Sequence, residues 1–253
     1  MTWTTLAIAA LFAGYIDAVA GGGGMVQVPV LLLNTPANAP ALALGTNKVA
    51  SIFGTLSATA SYLRRIKPDF STAIPMAVAA FVAAALGANI AVSLNPQLIT
   101  WIIIIGLSFA WLFIVFRPSL GLEQDLRWAG RKRHVFLATV AGVVIGFYDG
   151  LVGPGTGTFL ILALVAGLGY SFLDASVMAK IVNLGTNVAA IVVFGFSGAI
   201  LWQVGLVMAV FNVAGALIGA HSAMRWGSKY VRVVFLVIAG ALLLRLLWGQ
   251  FLA

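Results

Sequence analysis

The chain has 253 residues, of which 62% are hydrophobic and only 8% are charged, and its formal net charge is +8. A soluble domain of this length could not cover so much apolar surface with so few charged side chains, so a soluble globular protein is excluded. The chain has no cysteine and only two histidines, which excludes thiolate chemistry and leaves a weak basis for a metal centre. Because no phosphate loop or catalytic triad is present either, we expect no enzyme and no cofactor.

Apolar segments recur along the chain, and most are long enough to cross a hydrocarbon core of roughly 30 Å. They do not alternate in the manner of membrane-barrel strands, so they are predicted to be helices. In chain order the predicted elements are residues 3–20, 25–33, 41–63, 71–93, 98–116, 134–152, 158–168, 174–196, 202–224 and 229–249. The sequence therefore predicts an all-α integral membrane protein that crosses the bilayer many times.

The first predicted helix, residues 3–20, ends at a run of glycines and is followed by a shorter apolar segment, residues 25–33. A glycine turn inside a membrane leaves backbone groups without helical partners, which is tolerated where the backbone lines a cavity. Glycine also permits positive φ, and the N-terminus of a restarted helix attracts anions. The alternative is a close-packed helix crossing. The candidate anion-binding residues are Gly21, Gly22, Gly23 and Gly24.

A lysine lies inside the next predicted span, residues 41–63, within the sequence GTNKVAS. Because intramembrane charges are costly, Lys48 is a candidate functional residue. Its ammonium group supplies a point charge and its neighbours supply short hydrogen-bond donors, which together suit a small oxyanion. The alternative is an internal Asp–Lys ion pair that holds parts of the chain together. The candidate residues in this span are Thr46, Asn47, Lys48 and Ser51.

The same features return in the second half of the chain. The sequences GYIDAVAGGGG and GFYDGLVGPGT align with Asp17 on Asp149, and the same offset places Lys48 on Lys180. A single offset that holds without a gap is hard to attribute to shared low complexity. Internal duplication with interrupted helices at matching positions is typical of secondary transporters.

We therefore predict a first repeat over residues 1–120, a cytoplasmic linker over 121–132 and a second repeat over 133–253. The glycine-rich break of the second repeat and its lysine-bearing helix match those of the first, so the second repeat also supplies candidate substrate-binding residues. These residues are Gly153, Gly155, Thr156, Gly157, Lys180, Asn183 and Asn187.

Charge placement indicates how the repeats are oriented. Of the 14 basic residues, all but Lys48, Lys180 and Arg245 lie in three segments: Arg64, Arg65 and Lys67; Arg117, Arg127, Arg131, Lys132 and Arg133; and Arg225, Lys229 and Arg232. Short basic loops are topological signals that face the cytoplasm, so nucleic-acid binding is not expected. All three segments face one side only if each repeat has an odd number of membrane elements. We predict two inverted repeats, each a Gly-broken helical hairpin plus three transmembrane helices; the alternative is eight transmembrane helices as parallel 4+4 repeats.

Inversion also predicts which charges meet. A rise of roughly 1.5 Å per residue places Lys48 about 10 Å from the outer face and Asp149 about 20 Å from the inner face of a core about 30 Å thick, so their depths nearly coincide. The same argument matches Asp17 with Lys180. We therefore predict that Asp149 lies near Lys48 and Asp17 near Lys180, with the two carboxylates acting in ion pairs or in proton coupling.

The paired motifs resemble a known family. The segments DAVAGGGGMVQVPVLL and ALGTNKVASIFGTLSATASYLRR, together with GFYDGLVGPGTGTFL and AKIVNLGTN, are similar to the sulfite exporter TauE/SafE family, or TSUP transporters (the 4-toluene sulfonate uptake permease superfamily). The resemblance covers essentially the whole chain. It implies a multi-pass carrier of the bacterial inner membrane for sulfur-containing or organic anions such as sulfite, sulfoacetate or other sulfonates. Pro154 and Thr156 stand where the first repeat has glycines, so the second turn is expected to be stiffer.

The predicted function is export of a small anion by alternating access, with Asp17 or Asp149 exchanging protons. A passive anion channel and a structural membrane subunit are the alternatives. The expected partners are the anion, protons and the lipid bilayer. The small residues Gly142, Gly146 and Gly150 favour helix packing within the chain, and a homodimer interface is the alternative use of this face.

Overall fold

The computed structural model describes residues 3–33, 35, 40–91, 108, 112, 115, 116, 122–128, 130 and 132–251. This part of the chain is mostly helical and contains no strand, which confirms the all-α prediction. The helices are α1 (Trp3–Ala20), α2 (Gly23–Leu32), α3 (Pro40–Leu63), α4 (Phe70–Ala91), α5 (Lys132–Leu151), α6 (Thr156–Leu162), α7 (Phe172–Phe196) and α8 (Trp202–Phe251). A π-helical segment, Ala163–Leu168, continues α6.

Within these residues, five helices are long and apolar enough to cross a membrane: α1, α4, α5, α7 and the Trp202–Val237 part of α8. Their outward faces carry exposed large hydrophobic side chains, among them Phe12, Val144 and Phe196. Exposure of such extensive apolar surfaces to water is unfavourable, whereas contact with lipid chains is not. The chain is therefore a multi-pass membrane protein. Helix α3 has 24 residues and is not among the five, since it carries the polar segment around Lys48.

Both predicted glycine breaks are present. Helix α1 stops at Ala20, Gly21 adopts φ +77°, and α2 restarts two residues later. Helix α5 stops at Leu151, and the turn that follows contains Gly153 at φ +86° and Gly155 at φ +89°. These are left-handed conformations that glycine adopts without steric cost. Each half of the chain therefore contains a helical hairpin, α1–α2 and α5–α6, in place of one continuous helix.

The last two predicted spans run together in α8 but are separated by a backbone break. Gly227 has φ 69° and ψ −167°, which is not helical, and it lies between the predicted spans 202–224 and 229–249. The predicted span 98–116 lies largely outside the described residues. The other long helices begin and end within a few positions of their predicted bounds.

The first half (residues 1–120) and the second half (residues 133–253) make equivalent contacts with each other. Positions that align when Asp17 is placed on Asp149 occur on both sides of these contacts. Helix α1 packs along α8, as α5 packs along α4. Gly14 lies against the backbone carbonyl of Asn212, and Gly146, which aligns with Gly14, lies against that of Ala80, which aligns with Asn212. A Cβ at Gly146 would lie 2.5 Å from the Ala80 oxygen, so only glycine permits this approach.

The small-residue face of α5 is used in the same way. A Cβ added at Gly142 or Gly150 would collide with the α4 backbone, at Met76 and Ala84 respectively. These glycines therefore serve helix packing within one chain, which is the first of the two uses expected from the sequence. A homodimer stays a prediction.

Candidate functional site

Two ion pairs lie where the hairpins meet the central helices α3 and α7. Lys48 Nζ on α3 is 2.7 Å from Asp149 Oδ2 on α5, and Lys180 Nζ on α7 is 2.7 Å from Asp17 Oδ2 on α1. Each pair joins the two halves of the chain, and both are the proximities predicted from the sequence. The lysine side chains are 4% and 0% exposed, so each charge needs its counter-charge in place.

The hairpins bring the carboxylates into position. Asp17 and Asp149 occupy the last turns of α1 and α5, one helical turn before Gly21 and Gly153. The return helix packs directly against the base of the Asp17 side chain, because a Cβ added at Gly23 would lie 2.6 Å from the Asp17 Cβ. A larger residue at this position would push the return helix away from Asp17.

Hydroxyl groups distinguish the two carboxylates. Thr156 Oγ1 donates to Asp149 Oδ1 at 2.5 Å, whereas Thr55 Oγ1 is 3.5 Å from Asp17 Oδ2. The side chain of Asp17 is 16% exposed and that of Asp149 only 2%. Thr156 therefore makes Asp149 the more tightly held of the two, and the first half has Gly24 at the matching position.

A small polar cavity lies between the pairs. Its volume is about 20 Å³, enough for a single water molecule. The amide oxygen of Asn47 is buried without a hydrogen-bond partner, while Asn187 donates to Asn183 at 2.8 Å. The residues that line the cavity are Asp17, Gly21, Gly24, Asn47, Lys48, Ser51, Asp149, Gly153, Gly155, Gly157, Asn183 and Asn187. Ammonium and amide groups, which can donate hydrogen bonds to an oxyanion, are therefore among the groups around this cavity.

The tips of the two hairpins touch each other. Thr158 N donates to the carbonyl oxygen of Gly21 at 3.1 Å, and a Cβ added at Gly157 would lie 2.5 Å from the Gly21 Cα. Backbone contacts this close require glycine on both sides. The tips therefore close the space between the two hairpins.

Side chains from other elements satisfy the carbonyl groups at the end of α1. Tyr62 Oη donates to Ala18 O at 2.9 Å and Thr158 Oγ1 donates to Ala20 O at 3.1 Å. The hydroxyl of Ser176 lies 3.3 Å from Val19 O but 2.8 Å from Phe172 O in its own helix. The last carbonyls of a helix have no partner within that helix, and lipid supplies none. The donors Tyr62 and Thr158 therefore help α1 to end inside the membrane.

Comparison with known proteins identifies the family. The sequence profile of the family described as "Sulfite exporter TauE/SafE" matches residues 6–246. The chain therefore belongs to the TauE/SafE family. It is 39% identical over 244 residues to a probable membrane transporter protein, ORF9, of Sinorhizobium sp, covering 96% of this chain and 91% of that protein.

Two further relatives of this TauE/SafE protein carry the same description. It is 32% identical to a probable membrane transporter protein of Haemophilus influenzae, covering 94% of this chain and 91% of the relative. It is 31% identical to the probable membrane transporter protein YfcA of Escherichia coli K12, covering 95% of this chain and 88% of the relative. No solved structure is significantly similar to it. These names describe bacterial membrane transporters rather than enzymes.

Most of the predicted site residues of this TauE/SafE protein come together around the cavity, and their role in substrate binding stays a prediction. Lys180 and Thr156 do not line the cavity but bind the carboxylates that do. Thr46 is directed elsewhere, since its Oγ1 accepts a hydrogen bond from Leu201 N. Predicted site residues outside the cavity lining are Gly22, Gly23, Thr46, Thr156 and Lys180.

Sequence reasoning missed the roles of Tyr62 and Thr158. Both lie within the motif segments quoted above, but each is far along the chain from its partner carbonyl. The only available signal was the general rule that a helix end inside the membrane needs donors from elsewhere.

Proposed function

We propose that this TauE/SafE protein is a secondary transporter that exports small sulfur-containing or organic anions, such as sulfite, sulfoacetate or other sulfonates, by alternating access. One observation carries the proposal: Lys48 and Lys180 are buried between two glycine breaks, and each is held by a carboxylate from the other half of the chain. The oxygens of a small oxyanion can replace those of a carboxylate at either ammonium group. The family description, which names sulfite export, supports this class of substrate.

The cavity must open for an anion to bind. About 20 Å³ accommodates one water molecule, and a sulfite or sulfonate group is several times larger. We infer that separation of the hairpin tips at Gly21 and Gly157 admits the anion. The contacts that recur between aligned positions of the two halves support inverted repeats, in which one half rocks against the other and exposes the site to each side in turn.

Charge balance supports coupling to protons. Two lysines and two aspartates leave the closed site neutral, and an added anion would leave an uncompensated negative charge in a region of low dielectric constant. Protonation of the displaced carboxylate restores neutrality, so one monovalent anion and one proton load together. In this scheme the outward gradient of the anion drives export.

Of the two carboxylates, Asp17 is better suited to exchange the proton. It is the more exposed, and its neighbouring hydroxyl is 3.5 Å away, whereas Thr156 holds Asp149 at 2.5 Å. Protonation of Asp17 would free Lys180 for the anion, while Asp149 and Lys48 stay paired.

Flux in proteoliposomes tests the function. Purified protein should move sulfite or a sulfonate out of loaded vesicles, and an acidic exterior should drive accumulation of the anion against its gradient. Lys48→Ala and Lys180→Ala should each reduce flux by about tenfold or more, because an intramembrane anion loses its counter-charge. The matched control is Lys229→Ala, which changes a lysine of the third basic segment, away from the cavity.

Each alternative gives a different result. Dissipation of the anion gradient without any response to pH identifies a passive channel, and no flux of any tested anion indicates a structural subunit. Asp17→Asn should retain anion exchange and lose pH-driven accumulation. If Asp149→Asn shows this separation and Asp17→Asn does not, the assignment of the proton to Asp17 is wrong while anion transport still holds.

A further inference from the structure

A pair of amide side chains lies in the membrane core beside the first hairpin. Gln27 belongs to α2 and Asn212 to α8, and these residues are 0% and 2% exposed. Asn212 Nδ2 donates to Gln27 Oε1 at 3.1 Å. The amide nitrogen of Gln27, Nε2, is buried and has no hydrogen-bond partner within the part of the chain that the structure describes. A buried donor without a partner is unfavourable, so this nitrogen points to a ligand.

The contact with α3 determines which end of the Asn212 amide faces Gln27. A Cβ added at Gly54 would collide with Asn212 Oδ1, so this oxygen lies along a Cα–H bond of Gly54. An amide oxygen accepts a weak hydrogen bond in this place, whereas an NH₂ group would direct its hydrogens at a carbon that cannot accept them. Asn212 therefore turns Nδ2 toward Gln27, which presents Oε1 to it. Nε2 of Gln27 is consequently the group that stays without a partner.

Helix packing explains only part of this pair. An amide hydrogen bond between two helices stabilises a membrane protein, and the bond between α2 and α8 is of this kind. It makes no use of the Gln27 Nε2 donor. The aligned positions of the second half are Phe159 and Ala80, whose side chains cannot form hydrogen bonds. The repeated architecture therefore does not require the two amides, which are costly inside a membrane.

Gln27 lies directly beyond the cavity along α2. Gly24 lines the cavity, and Gly23 lies against the base of the Asp17 side chain. With 3.6 residues per turn, Gln27 projects between the directions of Gly23 and Gly24, one turn farther along the helix. A rise of roughly 1.5 Å per residue places it about 6 Å beyond Gly23. An anion that leaves the cavity along the first hairpin therefore passes Gln27.

This position is on the outer side of the hairpin tips. Helix α3 ends at Leu63, next to Arg64 and Arg65, and we expect this basic segment to face the cytoplasm. Helix α3 then begins at the outer face. Because α2 precedes α3 in the chain, α2 leads from the hairpin tip toward the same outer face.

We propose that Gln27 binds the transported anion on the outer side of the hairpin tips, through a hydrogen bond from Nε2. The proposal rests on the proposed transport of an anion. The group without a partner is a donor, so its ligand must be an acceptor such as the oxygen of an oxyanion. Asn212 is a positioning residue, because its bond to Oε1 holds the amide of Gln27 in this orientation. Separation of the tips exposes Nε2 to the anion after it has left the lysines.

Transport kinetics on the two faces tests this assignment. Gln27→Met combined with Asn212→Leu replaces both amides by apolar side chains of similar size, which leaves no partner orphaned and should keep thermal stability near that of wild type. In right-side-out membrane vesicles the KM for sulfite, or for methanesulfonate if only that anion is transported, should rise about tenfold or more, because a charged ligand loses one hydrogen bond. In inside-out vesicles the KM should change by less than about threefold.

A second variant and a control complete the test. Gln27→Glu keeps an acceptor for Asn212 and puts an oxygen in the place of Nε2, so the KM at the outer face should rise in this variant as well. The matched control is Ser222→Ala, which removes a buried hydroxyl of α8 that donates to Ile218 O of its own helix at 2.9 Å. Its KM should equal that of wild type at both faces.

The remaining outcomes overturn the proposal in distinguishable ways. If the wild type transports the anion and neither Gln27 variant changes the KM at the outer face, Nε2 serves water alone and the anion does not bind it. Loss of stability with an unchanged KM assigns the pair to helix packing. An equal rise of the KM at both faces contradicts the position on the outer side. Absence of flux in the wild type overturns the proposed function and this proposal together.

Discussion

Adding one methyl group at the contact between the hairpin tips, by Gly157→Ala, tests whether the two tips touch. Gly157 lies in α6 and is not among the glycines with positive φ, so its backbone accepts alanine, and helix propensity alone favours alanine by about 1 kcal/mol. The added Cβ would, however, lie 2.5 Å from the Gly21 Cα, where ordinary contacts begin at 3.4 Å. The tips must therefore separate by nearly 1 Å, and overpacking of this kind costs about 1–3 kcal/mol.

We expect Gly157→Ala to lower the free energy of unfolding by up to about 2 kcal/mol in total, because the gain in helix propensity offsets part of the overpacking cost; thermal or denaturant unfolding in detergent measures this change. Transport should fall by about tenfold or more, because a displacement of about 1 Å disturbs groups that must converge on the anion. The matched control is Gly167→Ala, whose Cβ would meet no atom within 4 Å. If Gly157→Ala proves as stable and as active as this control, the hairpin tips do not touch as described.

Three further results are expected. Asp149→Asn leaves Lys48 buried without a counter-charge and should destabilise the protein by about 3–5 kcal/mol, much of which the added Lys48→Gln should restore; simple additivity would contradict direct pairing. The pKa of Asp69 is lowered by folding, so its contribution to stability is present at neutral pH and lost as the pH falls below about 4. The difference in melting temperature between wild type and Asp69→Asn should accordingly shrink in acid. Tyr62→Phe leaves the Ala18 carbonyl without its donor and should cost about 1–3 kcal/mol in the same unfolding assay, and no loss would show that another group replaces it.

The sequence was sufficient to predict the two ion pairs and the two glycine breaks. Both features are repeated along the chain, and charged residues are rare in its membrane elements. Ionisable residues are so few in the membrane elements that Asp17, Lys48, Asp149 and Lys180 could be matched by depth, and the structure brings them together in that pairing. The glycine breaks were equally visible, since four consecutive glycines are incompatible with a stable continuous helix.

Other features depend on contacts that leave no local pattern. The hydrogen bonds of the Tyr170 hydroxyl with Asp69 and His134 join residues from different parts of the chain, and no periodicity or motif connects these three residues. The closed state of the cavity also has no counterpart in the sequence, because it depends on the approach of two hairpin tips rather than on the residues of either one.

The carbonyl groups at the end of α1 have a consequence for biosynthesis. One of their donors, Thr158, lies in the second half of the chain and is translated long after the Ala20 carbonyl that it serves. Until Thr158 enters the bilayer, the first hairpin carries a polar backbone group that lipid cannot satisfy. The nascent protein must therefore hold its N-terminal hairpin in a provisional arrangement, shielded by water or by the insertion machinery, and complete it only after α6 has arrived.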